Sequence, residues 1–495
     1  MAKNNKNLRS ISRRGFIKSG TFLLGGAALP INKSNVTPIQ DSPFKEVKGK
    51  VTALGNGVPG IVISDGKQVV TTDAKGNFIL QTDREIVFMS YPSGYALQVL
   101  PNGSVDFFRI IPKEQGQVRL QFELIPLQIS DQKHSFVVIA DPQLQTLEEA
   151  DIFIQESCPE LKAYKTSEEV FGIGCGDLVF DKFELFEKYN QGIKNTGIPF
   201  FQVTGNHDIA LDARSHEQAQ KPFQEQFGPS YYSFNRGNVH YITLNDVYFL
   251  GNKQYYGYLD ETQLKWLEKD LSYVALETPI VIFLHIPSTS QIVAYNPGRE
   301  INKESLINRM ALYNILQGRN VHLISGHVHW NENREDANIY EHNQAAISGA
   351  WWTGDICYDG TPKGFGVYEV VDTKIKWYYK SIGHSKEKQF EIYKIGEHVD
   401  FPEEICVNIW NYDQNWQVFW YEDDIKIGSP RREVTFDPKA YQLYAGVDQP
   451  LKHPWVVPQR NDHMFFFKPI DPSAALELEV IDRFGNSYKE KITGK

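Results

Sequence analysis

The sequence predicts an α/β core of layered β-sheets flanked by helices, bracketed by an N-terminal β-sandwich and a C-terminal β-domain. Three observations lead there. Between His134 and Val371, short continuous apolar runs alternate with amphipathic, helix-like stretches, as expected of strands covered on both faces and helices laid over them. Ahead of this region, short strand-like runs are punctuated by Gly and Asp-Gly turns, the pattern of a small sandwich. After about Ser381 the helical signal fades and strand-like runs return.

The chain opens with what reads as an export signal, residues 1–30. Lys3, Lys6 and Arg9 precede Arg13-Arg14, and the apolar run Gly20 to Leu29 follows, the layout of a twin-arginine leader. That run is too short for a stable membrane-spanning helix, so no transmembrane anchor is expected. The implied partner is the twin-arginine export machinery, and the implied location is periplasmic or otherwise extracytoplasmic. A polar linker, 31–44, leads to the sandwich at 45–128. There Val58 to Ile63, Val69 to Thr72 and Asn77 to Leu80 are separated by Asp65-Gly66 and Asp73-Ala74-Lys75-Gly76.

The core is expected over 133–372. Its strands are Phe136–Ala140, Phe171–Cys175, Pro199–Val203, Pro279–Leu284 and Val321–Ile324, with a hairpin around Arg236-Gly237-Asn238. Its helices are Leu147–Tyr164, Glu184–Lys194, Glu261–Leu271 and Lys303–Leu316. The C-terminal domain, 381–495, contains strands at Ile405–Ile409, Trp416–Glu422, Glu433–Phe436, Met464–Lys468 and Leu476–Ile481. Trp410, Trp416, Trp420 and Tyr421 are of a type that stacks on sugars, but both faces of the Trp416–Glu422 run are apolar, which favours core packing.

A length of 495 residues suits about three domains. A formal charge of −10 argues against a long nucleic-acid partner, which needs a basic face. Cysteines at 158, 175, 357 and 406 have neither zinc-ribbon nor disulfide-framework spacing.

Five motifs fall at or just after the carboxyl ends of predicted strands, the edge where open α/β sheets bind ligands. They are Asp141-Pro142-Gln143, Gly176-Asp177 with Asp181, Gly205-Asn206-His207-Asp208, His285, and Gly326-His327-Val328-His329. Singly, each is as compatible with a turn, a helix cap or a buried histidine. Five in order on one edge form a set of carboxylate, imidazole and amide donors suited to a pair of metal ions. Two carboxylates against two divalent cations leave the site positive and attractive to phosphate, whatever the net charge of the chain.

In this order the set resembles the calcineurin-like metallophosphoesterase superfamily, and Phe227–Phe234 and Asn245-Asp246 fit it too. Gly57-Val58-Pro59-Gly60 and Thr72-Asp73-x-x-Gly76-x-Phe78 resemble prealbumin-like or carboxypeptidase-regulatory-like modules. Both flanking domains resemble those of an exported bacterial branch, in which Gly349–Trp352 and Asp359–Gly364 follow the last histidine motif. The resemblance implies metallophosphoesterase-type layered sheets and hydrolysis of a phosphomonoester or phosphodiester by a metal-bridging hydroxide, on a small phosphorylated substrate. The cofactors would be two divalent or trivalent ions (Mn, Fe or Zn). Asp177 would bridge them; Asp141, Gln143 and His329 would complete the first site, and Asn206, His285 and His327 the second. His207 would be catalytic with Asp208 orienting it, and Asp181 a hydrogen-bonding support. Many members carry histidine where this chain has Gln143. An amide oxygen is a weaker and harder ligand, so the first site is expected to hold its ion less tightly and to prefer Mn²⁺ or iron over Zn²⁺. Alternatively Gln143 does not ligate and water takes its place. Arg299, Trp351, Trp352 and Asp359 are candidates for substrate contact, although Arg299 is also compatible with a solvated loop charge and the paired tryptophans with packing. The competing reading is a non-catalytic extracytoplasmic binding protein with a relic metal site, against which the intact donor set argues.

Overall fold

The structure, a computed structural model, describes residues 44–112, 118–165, 169–336, 338–445 and 452–492. The expected export signal lies outside the described residues, as does all of the linker but Phe44.

Two sheets face each other in the central region. The first has the order β3-β2-β1-β12-β13, built from β1 (Lys133–Ile139), β2 (Glu169–Cys175), β3 (Phe200–Val203), β12 (Gly364–Val371) and β13 (Lys374–Ser381). The second has the order β4-β5-β8-β9-β11-β10. It comprises β4 (Tyr232–Arg236), β5 (Val239–Thr243), β8 (Ile280–Phe283), β9 (Val321–Ser325), β10 (Glu332–Asp336) and β11 (Ile339–Asn343). A separate hairpin, β6 (Val247–Gly251) with β7 (Gln254–Gly257), pairs with neither. Strands β1, β2 and β3 run parallel, as do β5, β8, β9 and β11. Such strands are buried on both faces, which is why β8 and β9 are buried throughout.

Aromatic side chains fill the space between the sheets. Phe136 stacks between Phe171 (5.2 Å) and Tyr368 (4.6 Å), and Phe201 stacks on Phe234 at 3.8 Å. The outer faces are covered by helices. Val137 and Ile139 pack with Phe153 and with Phe186, Tyr189 and Ile193 of α2 (Phe186–Thr196). Trp266, Leu267 and Leu271 of α3 (Glu261–Leu271), with Leu312 of α5 (Arg309–Ile315), cover the second sheet. Asp260 caps α3 by accepting the Gln263 N–H at 2.8 Å. The expected helix Leu147–Tyr164 is interrupted by a π-turn at Phe153–Ser157, after α1 (Leu147–Ile152). The expected helix Lys303–Leu316 is two helices, α4 (Ile301–Glu304) and α5. Between them Leu306 leaves helical geometry to bridge Gly257, with the Ile307 N–H on the Gly257 carbonyl at 2.8 Å.

The N-terminal sandwich faces Asn56–Gly57, Lys45–Ala53, Asn77–Thr82 and Val118–Leu124 against Val69–Thr71, Val62–Ser64, Ile86–Met89 and Phe108–Ile110. Strict alternation in Asn77–Thr82 and Val118–Leu124 sends Phe78, Leu80 and Phe122 inward. Trp266 Nε1 donates to Ser64 Oγ at 3.1 Å, and the Val105 N–H to the Phe200 carbonyl at 2.9 Å, tying this sandwich to the central region.

C-terminally, Phe390–Tyr393, Ile405–Ile409, Arg460–Phe467 and Arg431–Phe436 form one sheet. Ile425–Gly428, Gln417–Glu422, Leu476–Ile481 and Ser487–Ile492 form the other. Trp416 and Trp420 lie in the core between them, and Trp410 is buried as well. Helix Pro438–Ala445, absent from the sequence reading, is started by Asp437, whose carboxylate accepts the Ala440 N–H at 2.8 Å. Among the described residues no helix is long and apolar enough to cross a membrane.

Candidate metal centre

Parallel pairing brings the carboxyl ends of β1, β2, β3, β8 and β9 to one edge, and each motif begins one or two residues past its strand. Close approach of these loops depends on glycine. A Cβ on Gly205 would lie 1.9 Å from the Asp177 backbone nitrogen and 2.2 Å from its Oδ1. At Gly176, φ is +83°, and a Cβ would lie 2.3 Å from His285 Nδ1. Fourteen non-glycine residues among those described have positive φ, and eight belong to these loops: Asp141, Gln143, Asp177, Asp181, His327, His329, Trp351 and Trp352. Left-handed backbone at such residues costs on the order of 1–3 kcal/mol each and gathers at functional sites.

Two sets of donors converge here. In the first, Asp141 Oδ1, Gln143 Oε1 and His329 Nε2 are all buried without a hydrogen-bond partner. Asp141 Oδ1 and His329 Nε2 stand 3.4 Å apart. Gln143 also donates through Nε2 to Asp177 Oδ2 at 2.7 Å. In the second, His285 Nε2 is 3.2 Å from each of Asp177 Oδ1, Asn206 Oδ1 and His327 Nδ1. A single ring N–H cannot serve three acceptors, whereas a cation is held by four such lone pairs. Asp177, His285 and His327 also meet as a group with metal-ligand spacing.

The far nitrogen of each histidine is fixed by a backbone carbonyl. His285 Nδ1 bonds Cys175 O (3.0 Å), His327 Nε2 bonds Lys303 O (2.9 Å) and His329 Nδ1 bonds Gly349 O (2.9 Å). A carbonyl accepts only from N–H, so the inward nitrogen is left with its lone pair, the tautomer a metal ligand needs. In the metal-free chain, burial opposes ionisation of Asp177, but the charge of His285, His207 and His327 holds its carboxyl below the usual range. Burial likewise opposes protonation of His285, and the Asp177 carboxylate reverses this and raises its pKa. His327, buried beside His285, is pushed well down.

His207 donates its backbone N–H to Asp177 Oδ1 at 2.8 Å, and its ring stacks on Phe180 at 4.0 Å. Its side chain is 21% exposed. The partner of its Nδ1 is Asp181 Oδ1 at 3.0 Å. This corrects the expectation for Asp208, which does not orient His207. Asp208 is fully buried, and its carboxylate accepts from the backbones of Leu178 (2.9 Å), Val179 (3.2 Å) and Gly205 (2.9 Å). It ties the Asp177 loop to the Asn206 loop. Burial and the Asp177 charge push its pKa up to about 7, against the Gly205 and Val179 amides and the His285 charge.

Of the candidate substrate contacts, Asp359 is not in the cleft. It is fully buried, accepting from Asn331 N (3.0 Å), Thr361 N (2.9 Å) and Thr361 Oγ1 (2.8 Å), with His463 Nε2 3.3 Å away. Its role is to fix a turn against the C-terminal domain. Trp351 stacks on His329 at 4.0 Å, and Trp352 Nε1 donates to the Pro142 carbonyl at 2.8 Å; both brace metal-site loops. Arg299 pairs with Glu304 at 3.0 Å and lies over the Tyr358 ring, while Glu304 Oε2 is 3.9 Å from His327 Nε2. Glu304 and Tyr255, whose ring meets that of His327 at 6.3 Å and 83°, were not singled out from sequence. Neither sits in a motif, and only the packing of α4 and the hairpin brings them here.

Layered sheets with this donor edge define a phosphoesterase-type metal site. Three family models match consecutively: the N terminal of calcineurin-like phosphoesterase over residues 45–127, calcineurin-like phosphoesterase over 135–331, and the C terminal of calcineurin-like phosphoesterase over 341–488. Together they span most of the sequence, and the chain belongs to the calcineurin-like phosphoesterases. Strands β12 and β13 of the first catalytic sheet lie within the C-terminal match. The chain is 30% identical to purple acid phosphatase 15 of Arabidopsis thaliana over 154 residues, covering 29% of this chain and 27% of that protein. It is 27% identical to the serine/threonine-protein phosphatase CPPED1 of Bos taurus (45% and 70% covered). It is 29% identical to a 3',5'-cyclic-nucleotide phosphodiesterase of Nostoc sp. (33% and 58% covered). The matched segment thus spans about a quarter of the plant phosphatase, and larger shares of the other two.

Proposed function

We propose that this chain is a metal-dependent hydrolase of phosphoesters, acting on a small monoester or diester outside the cytoplasm. Its family supports the reaction class, and its relatives include phosphatases and a phosphodiesterase. One observation carries the metal requirement: three donor atoms, on Asp141, Gln143 and His329, are buried together without partners, which is unfavourable unless a ligand satisfies them. Asp141, Gln143, Asp177 and His329 would hold one ion, and Asp177, Asn206, His285 and His327 a second. Such a pair, when bound, supplies Lewis acidity and lowers the pKa of water. The chain's own residues do the rest. Trp351 and Trp352 hold His329 and the Asp141 loop in place, and Asp208 keeps the Asn206 loop in register. His207, oriented through Nδ1 by Asp181, keeps its other ring nitrogen, Nε2, to deliver a proton to the leaving oxygen. Burial disfavours its charged form, yet the carboxylates of Asp177 and Asp181 raise its pKa, which suits a proton donor.

The twin-arginine-like leader supports export of the folded chain, with metals loaded beforehand, and the exported branch of the family is the assignment we favour. Hydrolysis of p-nitrophenyl phosphate or its bis ester with added Mn²⁺, absent in Asp177→Ala, tests the function. A parent protein inert on both esters and on a panel of sugar phosphates, nucleotides and glycerophosphodiesters would favour the relic-site binding protein instead.

A further inference from the structure

The C-terminal domain meets β10, the edge strand of the second catalytic sheet, and a cavity of about 350 Å³ lies between them. At about 30 Å³ per water this is room for roughly ten molecules, so no single bridging water fills it. Cavities of this size at domain junctions are where small ligands lodge. One wall is the stretch Asn331 to Glu335, and the opposite wall includes Tyr412, Asp413, Arg432 and Asp462. Two amides in the first wall are fixed at one end and idle at the other. Asn331, 3% exposed, accepts the Ala345 N–H through Oδ1 at 2.9 Å, and its Nδ2 is buried without a partner. Asn333 is two residues on, hence on the same face of an extended chain. It donates through Nδ2 to the Asn411 carbonyl (3.1 Å) and Asn411 Oδ1 (2.8 Å), and its own Oδ1 is buried without a partner. Buried amide groups left in this state are unfavourable. One lacks an acceptor and the other a donor, and a hydroxyl is both.

Charge narrows the ligand further. Four carboxylates of the lining, Glu332, Glu335, Asp413 and Asp462, outnumber two guanidiniums, Arg334 and Arg432, which disfavours an anion. The more buried carboxylates are already engaged, so none calls for a cation. Glu332 accepts from Ser290 Oγ at 2.8 Å and lies 3.3 Å from Arg334 Nη1. The Tyr340 hydroxyl donates to Asp413 at 2.8 Å and the Tyr295 hydroxyl to Asp462 at 3.3 Å. Those two tyrosines and Tyr412 also stand in the wall, where aromatic surface suits the C–H face of a sugar ring. A neutral ligand rich in hydroxyls meets all of these conditions.

We infer that this junction is a binding site for a neutral sugar of about one ring, with a sugar hydroxyl bridging Asn331 Nδ2 and Asn333 Oδ1. None of the lining residues is a metal donor, so the inference stands apart from the hydrolase reading. The test is calorimetric titration of the full-length protein with glucose, galactose and N-acetylglucosamine, and with glucuronate as a charged counterpart. At least one neutral sugar should bind, and glucuronate should bind more weakly than that sugar. Asn331→Asp keeps the bond from Ala345 and exchanges the idle donor for an acceptor, so it should weaken sugar binding about tenfold or more. Arg432→Ala removes an exposed donor of the opposite wall and should weaken binding about tenfold; its position spares the core, so it decides the matter if Asn331→Asp fails to fold. A parent that binds none of the three neutral sugars overturns the inference. So does parental affinity in either variant at parental Tm, or tighter binding of glucuronate than of any neutral sugar.

Discussion

Replacing Gly205 by alanine tests whether close loop approach builds the site. The added Cβ would sit 1.9 Å from the Asp177 backbone nitrogen and 2.2 Å from its Oδ1, where real Cβ contacts stay beyond about 3 Å. Relief requires a shift of more than about 1 Å between the Asp177 and Asn206 loops, by subtraction of those distances. Asp208, bonded to Leu178, Val179 and Gly205, resists that shift. Overpacking of this kind costs about 1–3 kcal/mol, and a few degrees of Tm for a large domain. The effect on metal binding should be larger in kind, because the Asp177 carboxylate moves relative to Asn206, its neighbour in the second set of donors. Metal analysis after dialysis and a thermal melt read the two effects separately. Gly205→Ala is expected to melt a few degrees lower and retain fewer ions per chain. A variant with the parent's metal content and Tm would refute the claim that glycine is required here for contact.

Other outcomes follow from particular side chains. Asp181→Asn should lower kcat about tenfold with metals retained, a part of what general acid catalysis contributes; unchanged kcat would remove Asp181 as the partner of His207. Asp359→Ala leaves buried donors unpaired and should lower stability by about 3 kcal/mol, without altering KM; a changed KM at parental Tm would return Asp359 to the cleft. Gln143→His should raise Zn²⁺ affinity at the site that holds Asp141 about tenfold, and histidine tolerates the positive φ there; an unaltered titration would show that residue 143 does not ligate. For His322, burial with the Arg483 charge lowers the pKa from 6.5 to about 4. The unfolded chain therefore binds more protons in that window, and stability falls as pH drops from about 6.5 towards 4. Tm should decline across it in the parent, less steeply in His322→Gln; equal slopes would contradict the assignment.

The donor edge was legible because parallel strands buried on both faces leave an unbroken apolar signature, so Asp141, Asp177, Asn206, His285 and His327 could each be placed just past a strand. Where residues act through backbone groups, sequence was silent. Asp208 stands beside His207 in the chain but spends its carboxylate on three amides, whereas Asp181, four residues past Asp177, reaches the ring. Asp359 read as a cleft residue because it follows the last motif, and a polar carboxylate gives no sign that Thr361 and Asn331 will bury it. The continuous helix expected over Lys303–Leu316 failed at Leu306 because pairing with Gly257, about fifty residues earlier, outweighs local periodicity. Tyr255 was invisible for a similar reason: the hairpin that carries it has no motif.

The proposed metal centre turns on Asp177 as a carboxylate shared between two cations. Titration of the metal-stripped protein with Mn²⁺, followed by metal analysis, tests this most directly. Two ions per chain are predicted for the parent, with the second much weaker or absent in Asp177→Ala. Saturation at one ion in the parent, or an Asp177→Ala variant that still takes up two with parental affinity, would contradict it.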